Sequence, residues 1–458
     1  MIDTLSALPL PFWVLTGFLA WGTWFGVREL RSGLGLPVLA VLTTLAAWYA
    51  GDVLYNNYAA HHVRMFSNSI LSAAWWQVVL FCTVFLALAA PIHRLLNERY
   101  IHAGSRVLRL VKSGVDEPAL QEQMGRLLCA CLALWVMLSL FALMRLGGEV
   151  IYYFFPFLGH RADPWGRGRI GAGIDSVLVL ASYMHLLVAS CFGLVAALTR
   201  SRTVGVLALA GCMCTWPYIL FGAARNYMLT AAVPGIASWI LLRLRLSLRV
   251  KVLLLATSFV AAHFWLSFVI ANRSTAAIVE ALRDGDVTSE RTMAARHEGL
   301  NMLEELCWLN AFIEEHTYEP NWGRRYLAEL VNPIPRALWQ EKPTIGIDYA
   351  VARGQAQESD AGEAAGVYAT VSTGMIGQGV MNFGRILGPM SAAALMALWA
   401  AILARLDLTG HRFGRVPLFG IGLMLTFNLG RDITLITLYP FVFGYLLVRA
   451  LDAWEGKA

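Results

Sequence analysis

Ile174-Asp-Ser-Val-Leu-Val-Leu-Ala-Ser-Tyr-Met-His-Leu-Leu-Val-Ala-Ser-Cys-Phe-Gly-Leu-Val-Ala-Ala-Leu198 decides the fold class. The run holds one charge, Asp175, and no proline. About 20 apolar residues in a helix cross a bilayer core, and a helix satisfies its own backbone there. Working outward, similar runs lie at 10–27, 34–51, 70–92, 127–144, 203–222, 226–242, 252–271, 386–404, 416–430 and 432–448. Eleven candidate spans make this an all-α polytopic integral membrane protein. The stretch 149–159 is apolar but too short to cross, and reads as re-entrant or interfacial.

Composition agrees. Hydrophobic residues make up 58% of the chain and charged ones 14%, with mean hydropathy +0.58. Soluble domains carry about 25% charge. Soluble-enzyme, disordered and fibrous classes are excluded. A membrane barrel would show alternating segments of ~10 residues instead. No nucleic-acid partner is expected. Six of the seven cysteines fall in apolar runs and only Cys307 in a polar one, so neither a disulfide nor a metal cluster is expected. The segment 10–27 reads as a span rather than a cleaved leader, because no basic residue precedes it and no small-residue cleavage pattern follows.

The positive-inside rule orients the spans. With the N-terminus outside, the cytoplasmic segments hold 19 of the 36 Lys and Arg, short outer loops hold seven, and one long outer loop holds ten. The expected topology is N-out, C-in. Three segments follow: 1–271 with eight spans, the loop 272–385, and 386–458 with three spans and a short tail. Arg99 to Lys112 reads as a basic amphipathic helix, lying on the anionic inner leaflet or serving as a solvated connector. No internal repeat is found, which argues against transporter folds.

A loop of this length is usually functional. Residues 290–316 read as an amphipathic helix, with Leu300, Leu303, Leu306, Leu309 and Ile313 at helical spacing. Next comes Asn332-Pro333-Ile334-Pro335-Arg336-Ala337-Leu338-Trp339-Gln340-Glu341-Lys342-Pro343. Its three prolines hold the segment extended or turned. From Ser372 to Gly388 there are five glycines in 17 residues, which permits close backbone approach and tight re-entrant turns, or equally the packing of small residues between helices.

Three arginines share the outer face: Arg225 at the end of a span, Arg336 among the prolines, and Arg431 in the tight turn between the last two spans. Among the seventeen outer basic residues only Lys342 is a lysine. Arginine suits bidentate phosphate recognition. A diphosphate site at the outer leaflet is the functional reading. The alternative is snorkelling or local pairing, such as Arg431 with Asp432. Asp348, Asp360 and Glu363 are the nearest carboxylates in sequence. His185 and His263 lie within spans, and His61, His62, His297 and His316 in outer segments.

Ile334-Pro335-Arg336-x-x-Trp339-x-x-Lys342-Pro343, followed by Gly377-x-x-x-x-Asn382-Phe383-Gly384-x-x-x-Gly388, resembles the Wzy-type oligosaccharide repeat-unit (O-antigen) polymerases. Gly222-x-x-Arg225 is similar to that family's outer-face arginine. The architecture matches over nearly the whole chain and the motifs over about 60 residues. Gln378 departs from the family, in which an acidic residue is expected nearby.

The resemblance implies a metal-independent glycosyltransferase of the bacterial inner membrane, similar to other multi-span (GT-C-like) lipid-linked glycosyltransferases. No cofactor is implied. The growing glycan on undecaprenyl diphosphate would pass to a lipid-linked repeat unit at the periplasmic face, making O-antigen or exopolysaccharide. Arg225, Arg336 and Arg431 would stabilise the leaving diphosphate, helped by Lys342. Asp348 or Glu363 would act as base. Trp339 and Tyr368 would stack on sugars, unless they form the ordinary aromatic belt. Asn382 of the motif would bind substrate. A chain-length regulator and a flippase are the implied partners. The rivals are an O-antigen ligase, a lipid-linked oligosaccharide flippase, and a non-catalytic scaffold.

Overall fold

The computed structural model describes residues 8–455, except 56–57, 60, 159–160, 166–172, 223–224, 273–274, 284–301, 332–333, 335–337, 340, 342, 344–346 and 355–370. Among these described residues every regular element is helical.

Seven helices are long and apolar enough to cross a membrane. Six are α1 (Leu10–Arg28), α3 (Asn68–Asn97), α5 (Pro118–Leu146), α6 (Gly173–Leu198), α7 (Arg202–Leu220) and α9 (Leu248–Ala271). The seventh is α13 (Gly374–Leu408). The protein is therefore a membrane-embedded helical protein. Helices also cover the other four apolar stretches: α2 (Gly35–Leu45), α8 (Arg225–Ser238), α14 (Arg415–Leu429) and α15 (Leu435–Glu455). Residues 150–158 form two short helical turns and do not cross.

Contacts sort the helix ends into two groups. At one end, Asn97 Nδ2 donates to the Ala401 carbonyl (2.9 Å), and the Val107 amide donates to Asp407 Oδ1 (2.8 Å). Asp407 thus caps α4 (Arg106–Ser113), a contact of about 1 kcal/mol. The amphipathic helix expected from Arg99 begins only at Arg106. Gly104 takes φ +68° and ends the preceding turn, and Ser105 caps the new helix. At the opposite end, Trp48 Nε1 donates to the Phe427 carbonyl (2.9 Å), and the Ile376 amide donates to Tyr49 Oη (3.1 Å). Arg431 lies at this second end.

The interior seam is α13 against α3. Ala393, Ala397 and Ala401 recur every fourth residue of α13, with Ala400 and Ala404 beside them. All five are buried, so two backbones approach closely. α13 is not one rod. Gly384 takes φ +76° and ψ −175°, which splits it into limbs 374–383 and 385–408. A Cβ on Gly379 would strike the Gly388 carbonyl, and one on Gly388 would sit 2.5 Å from Val380 Cα. Nine residues of straight helix would separate these glycines by about 13 Å. The first limb therefore folds back on the second, as the glycine spacing allows. Every residue from Gly374 to Asn382 is buried. Such a reversal is tolerated at membrane depth when protein surrounds it.

The loop between α9 and α13 also enters the bundle. α10 (Met302–Glu314) buries Met302, Leu303, Leu306 and Leu309 against α3 and the first limb. The sequence-predicted residues 290–301 of this helix lie outside the described ones. Asn310 and Gln77 of α3 exchange two amide hydrogen bonds, 2.8 and 2.9 Å, in the interior. Nearby, α10 is tied to α12 (Ile347–Ala352) and the segment after it. Arg353 donates to both oxygens of Glu305, at 3.1 and 3.3 Å, and Tyr349 Oη donates to Glu305 Oε2 at 2.6 Å. Glu304 receives Trp308 Nε1 and bonds His61. Arg353 stacks on Trp308, 4.6 Å from the ring centroid.

Candidate functional site

Three elements meet at the Arg431 end. They are α11 (Arg324–Val331), the turn between α14 and α15, and the first limb of α13. α11 is short and amphipathic. Its Arg325 and Glu329 stand four apart on one face. That face points inward: the two side chains are 4% and 5% exposed.

The first limb fixes both neighbours. Gln378 Oε1 accepts the Ile433 amide at 2.7 Å. Asn382 Oδ1 accepts the Tyr326 amide at 3.2 Å, and Asn382 Nδ2 donates to the Gln378 carbonyl at 2.8 Å. The resemblance assigns Asn382 to substrate binding. Here it is fully enclosed and its amide clamps α11, so packing occupies it. Gln378 likewise sets the turn that carries Arg431.

A relay of polar groups crosses the site. Arg431 Nε donates to Ser372 Oγ at 2.8 Å, and Ser372 favours the charged form of the neighbouring Asp432 carboxyl. Asp432 Oδ1 lies 3.8 Å from Arg325 Nη2. Arg431 and Asp432, adjacent in sequence, make no direct ion pair. Arg431 thus has its Nε committed, and among the described residues neither terminal nitrogen makes a hydrogen bond. Thr434 donates to Glu329 Oε2.

The site is under-bonded. Among the described residues, Arg325 Nε, Thr373 Oγ1, Gln378 Nε2 and Asp432 Oδ1 are buried without a hydrogen bond. Each such group costs about 1–3 kcal/mol. Burial pushes the Glu329 carboxyl up to about 7, against the lowering influence of Thr434 and Arg325, with Asp432 adding to the rise. Burial also raises Asp432, opposed by Arg325, Ser372 and Arg431.

No family model, curated protein or solved structure matches this chain.

The expected residues divide. Arg431 occupies the centre. Arg225 begins α8, whose next residue, Asn226, offers its carbonyl to Asn428 Nδ2 at 3.5 Å. The start of α8 thus adjoins the turn that holds Arg431. Asp348 is exposed and accepts Tyr318 Oη at 2.8 Å. Asn321 donates its side-chain amide to the same carboxylate at 3.5 Å and its backbone amide to the Met381 carbonyl of the first limb at 2.9 Å, so Asp348 borders the site. Trp339 is 38% exposed. Arg336, Lys342, Glu363 and Tyr368 lie outside the described residues. His185 is a core residue bonded to Tyr153 Oη at 3.1 Å.

Sequence reasoning missed Arg325 and Glu329. Arg-x-x-x-Glu is what an exposed helical ion pair looks like. The only available signal was the amphipathic pattern of 324–331.

Proposed function

We propose that this protein polymerises lipid-linked oligosaccharide repeat units at the outer face of a bacterial inner membrane. The growing glycan, carried on undecaprenyl diphosphate, passes to the acceptor repeat unit, and undecaprenyl diphosphate leaves. All eleven helices span in this reading, with the N-terminus outside and the C-terminus inside. The product is an O-antigen or exopolysaccharide, and a flippase and a chain-length regulator are its natural partners.

One observation carries the reading. Arg431 is anchored through Nε while its two terminal nitrogens stay unbonded, among the described residues, beside a buried, under-bonded polar site. A guanidinium held this way is preorganised for a phosphate oxygen pair. The start of α8 brings Arg225 to the same end, and the motif holding Arg336 and Lys342 belongs to the loop between α11 and α12. The sugar-stacking roles of Trp339 and Tyr368 belong to the same reading.

The test is the glycan size profile of a strain lacking the gene. Single repeat units without a ladder, with the ladder restored by the wild-type gene, support polymerase. Arg431→Ala, Arg225→Ala and Arg336→Ala proteins, each inserted and expressed, should then lose the ladder. An unchanged profile in all three would sink the diphosphate clamp. Full-length polymer left on its lipid diphosphate would point to a ligase. Repeat units trapped at the cytoplasmic face would point to a flippase.

A further inference from the structure

We infer that Glu329 takes the proton from the attacking hydroxyl of the acceptor sugar, with the Arg325–Asp432 pair as its positioning group. The inference rests on the polymerase reading. In the step, the hydroxyl proton passes to Glu329 Oε1 and the hydroxyl oxygen bonds the donor's anomeric carbon. The bond from that carbon to the diphosphate oxygen breaks, and its electron pair leaves on the diphosphate. The proton then passes from Glu329 to bulk water.

The described carboxylates at this end have different commitments. Glu305 is bonded by Tyr349 and by Arg353 through both oxygens. Glu304 holds His61 and Trp308. Asp432 is paired with Arg325 at 3.8 Å. Asp348 is exposed and bonded by Tyr318. Glu329 is buried, receives one hydrogen bond, from Thr434 to Oε2, and has no salt-bridge partner among the described residues. Among the described residues no group bonds Oε1. Arg325, one turn earlier, is drawn 3.8 Å from Asp432 rather than to Glu329. That arrangement keeps a cation near the base without neutralising it.

The charged and titratable groups facing Glu329 are Arg325 on its own helix, Asp432 on the turn and Tyr439 on α15. The packed limb of α13 contributes Gln378, Met381 and Asn382 around Arg325 and the turn, none of which titrates. Burial holds the Glu329 carboxyl at about 7. A base near the working pH combines the right protonation state with useful strength.

Membranes of the deletion strain supply accumulated lipid-linked units. Full-length protein in detergent is added to them, and polymer is followed on gels across pH. For the wild type, the rate should fall below about pH 7. Glu329→Gln should form at least ~100-fold less polymer while eluting as a single species. Thr434→Val removes the hydrogen bond that lowers the carboxyl, so its acid limb should move to higher pH. A Glu329→Gln protein within ~threefold of wild type overturns the inference. So does an acid limb that Thr434→Val leaves in place. Wild-type protein that makes no polymer from these membranes overturns the polymerase reading itself, and this inference with it.

Discussion

The Arg431 end holds two clusters built from nearly the same parts. One joins Arg353, Glu304, Glu305 and Tyr349. The other joins Arg325, Glu329, Asp432 and Thr434. In the first, Glu305 is gripped through both oxygens and Arg353 has two carboxylates and a tryptophan face. Around the second, among the described residues, four buried polar atoms have no hydrogen bond and Glu329 accepts one. Full satisfaction in a low-dielectric setting gives rigidity, and partial satisfaction leaves capacity for a ligand. The difference separates a satisfied fastening from a polar site with unmet hydrogen-bonding capacity.

Three substitutions test that contrast. The largest effect belongs to Arg353→Ala. It leaves the buried Glu305 charge unpaired and should cost ~3–5 kcal/mol, read as a lower melting temperature in detergent. The acid limb of polymer formation should stay where it is. A protein as stable as wild type would remove the fastening role.

Glu329→Gln should act in the opposite direction on stability. Its carboxyl is raised from 4.5 to about 7 by folding. The folded state therefore holds that proton more tightly than the unfolded one. Stability from this group is complete at low pH and is lost as pH rises through 7. At pH 8 the glutamine protein should be more stable than wild type by up to ~3 kcal/mol, and near pH 4 the two should agree. A melting curve at pH 8 below that of wild type would make Glu329 a structural residue.

Tyr349→Phe gives the smallest effect. It removes one hydrogen bond to a charged oxygen while Arg353 still holds Glu305. The expected loss is ~1.5 kcal/mol by chemical unfolding. A larger loss would mean that the tyrosine, rather than the arginine, carries the fastening.

The same contrast explains what the sequence could disclose. Apolar runs were readable because lipid forces each crossing segment to close its own hydrogen bonds. The glycine run at 372–388 fitted either a tight reversal or close helix packing, and the left-handed Gly384 together with the Gly379–Gly388 contact decides for the reversal. Arg431 drew notice because a cation in so short a turn runs against the charge bias, and the structure sets it beside the buried polar groups of α11 and the turn. Arg325 and Glu329 were not readable. Their spacing fits a solvated helix face equally well, and only the docking of α11 on Asn382 and on the 430–434 turn turns that face inward. Asn382 shows the converse: its place in a motif suggested contact with substrate, while its amide had a backbone to hold. Local pattern reveals which faces are polar, and long-range contact decides which polar face meets a ligand.

The fold-back has a further consequence, for the order of assembly on the ribosome. The first limb of α13 is made before the groups that complete it. The Met375 amide waits for the Gly430 carbonyl, and Gln378 waits for the Ile433 amide. Until those later residues emerge, residues 374–383 hold unmet backbone and side-chain polar groups that lipid cannot accept. The nascent chain must therefore keep this limb in the insertion machinery or near the aqueous surface. The last hairpin then closes over it, and only a chain synthesised past Ile433 can complete these contacts.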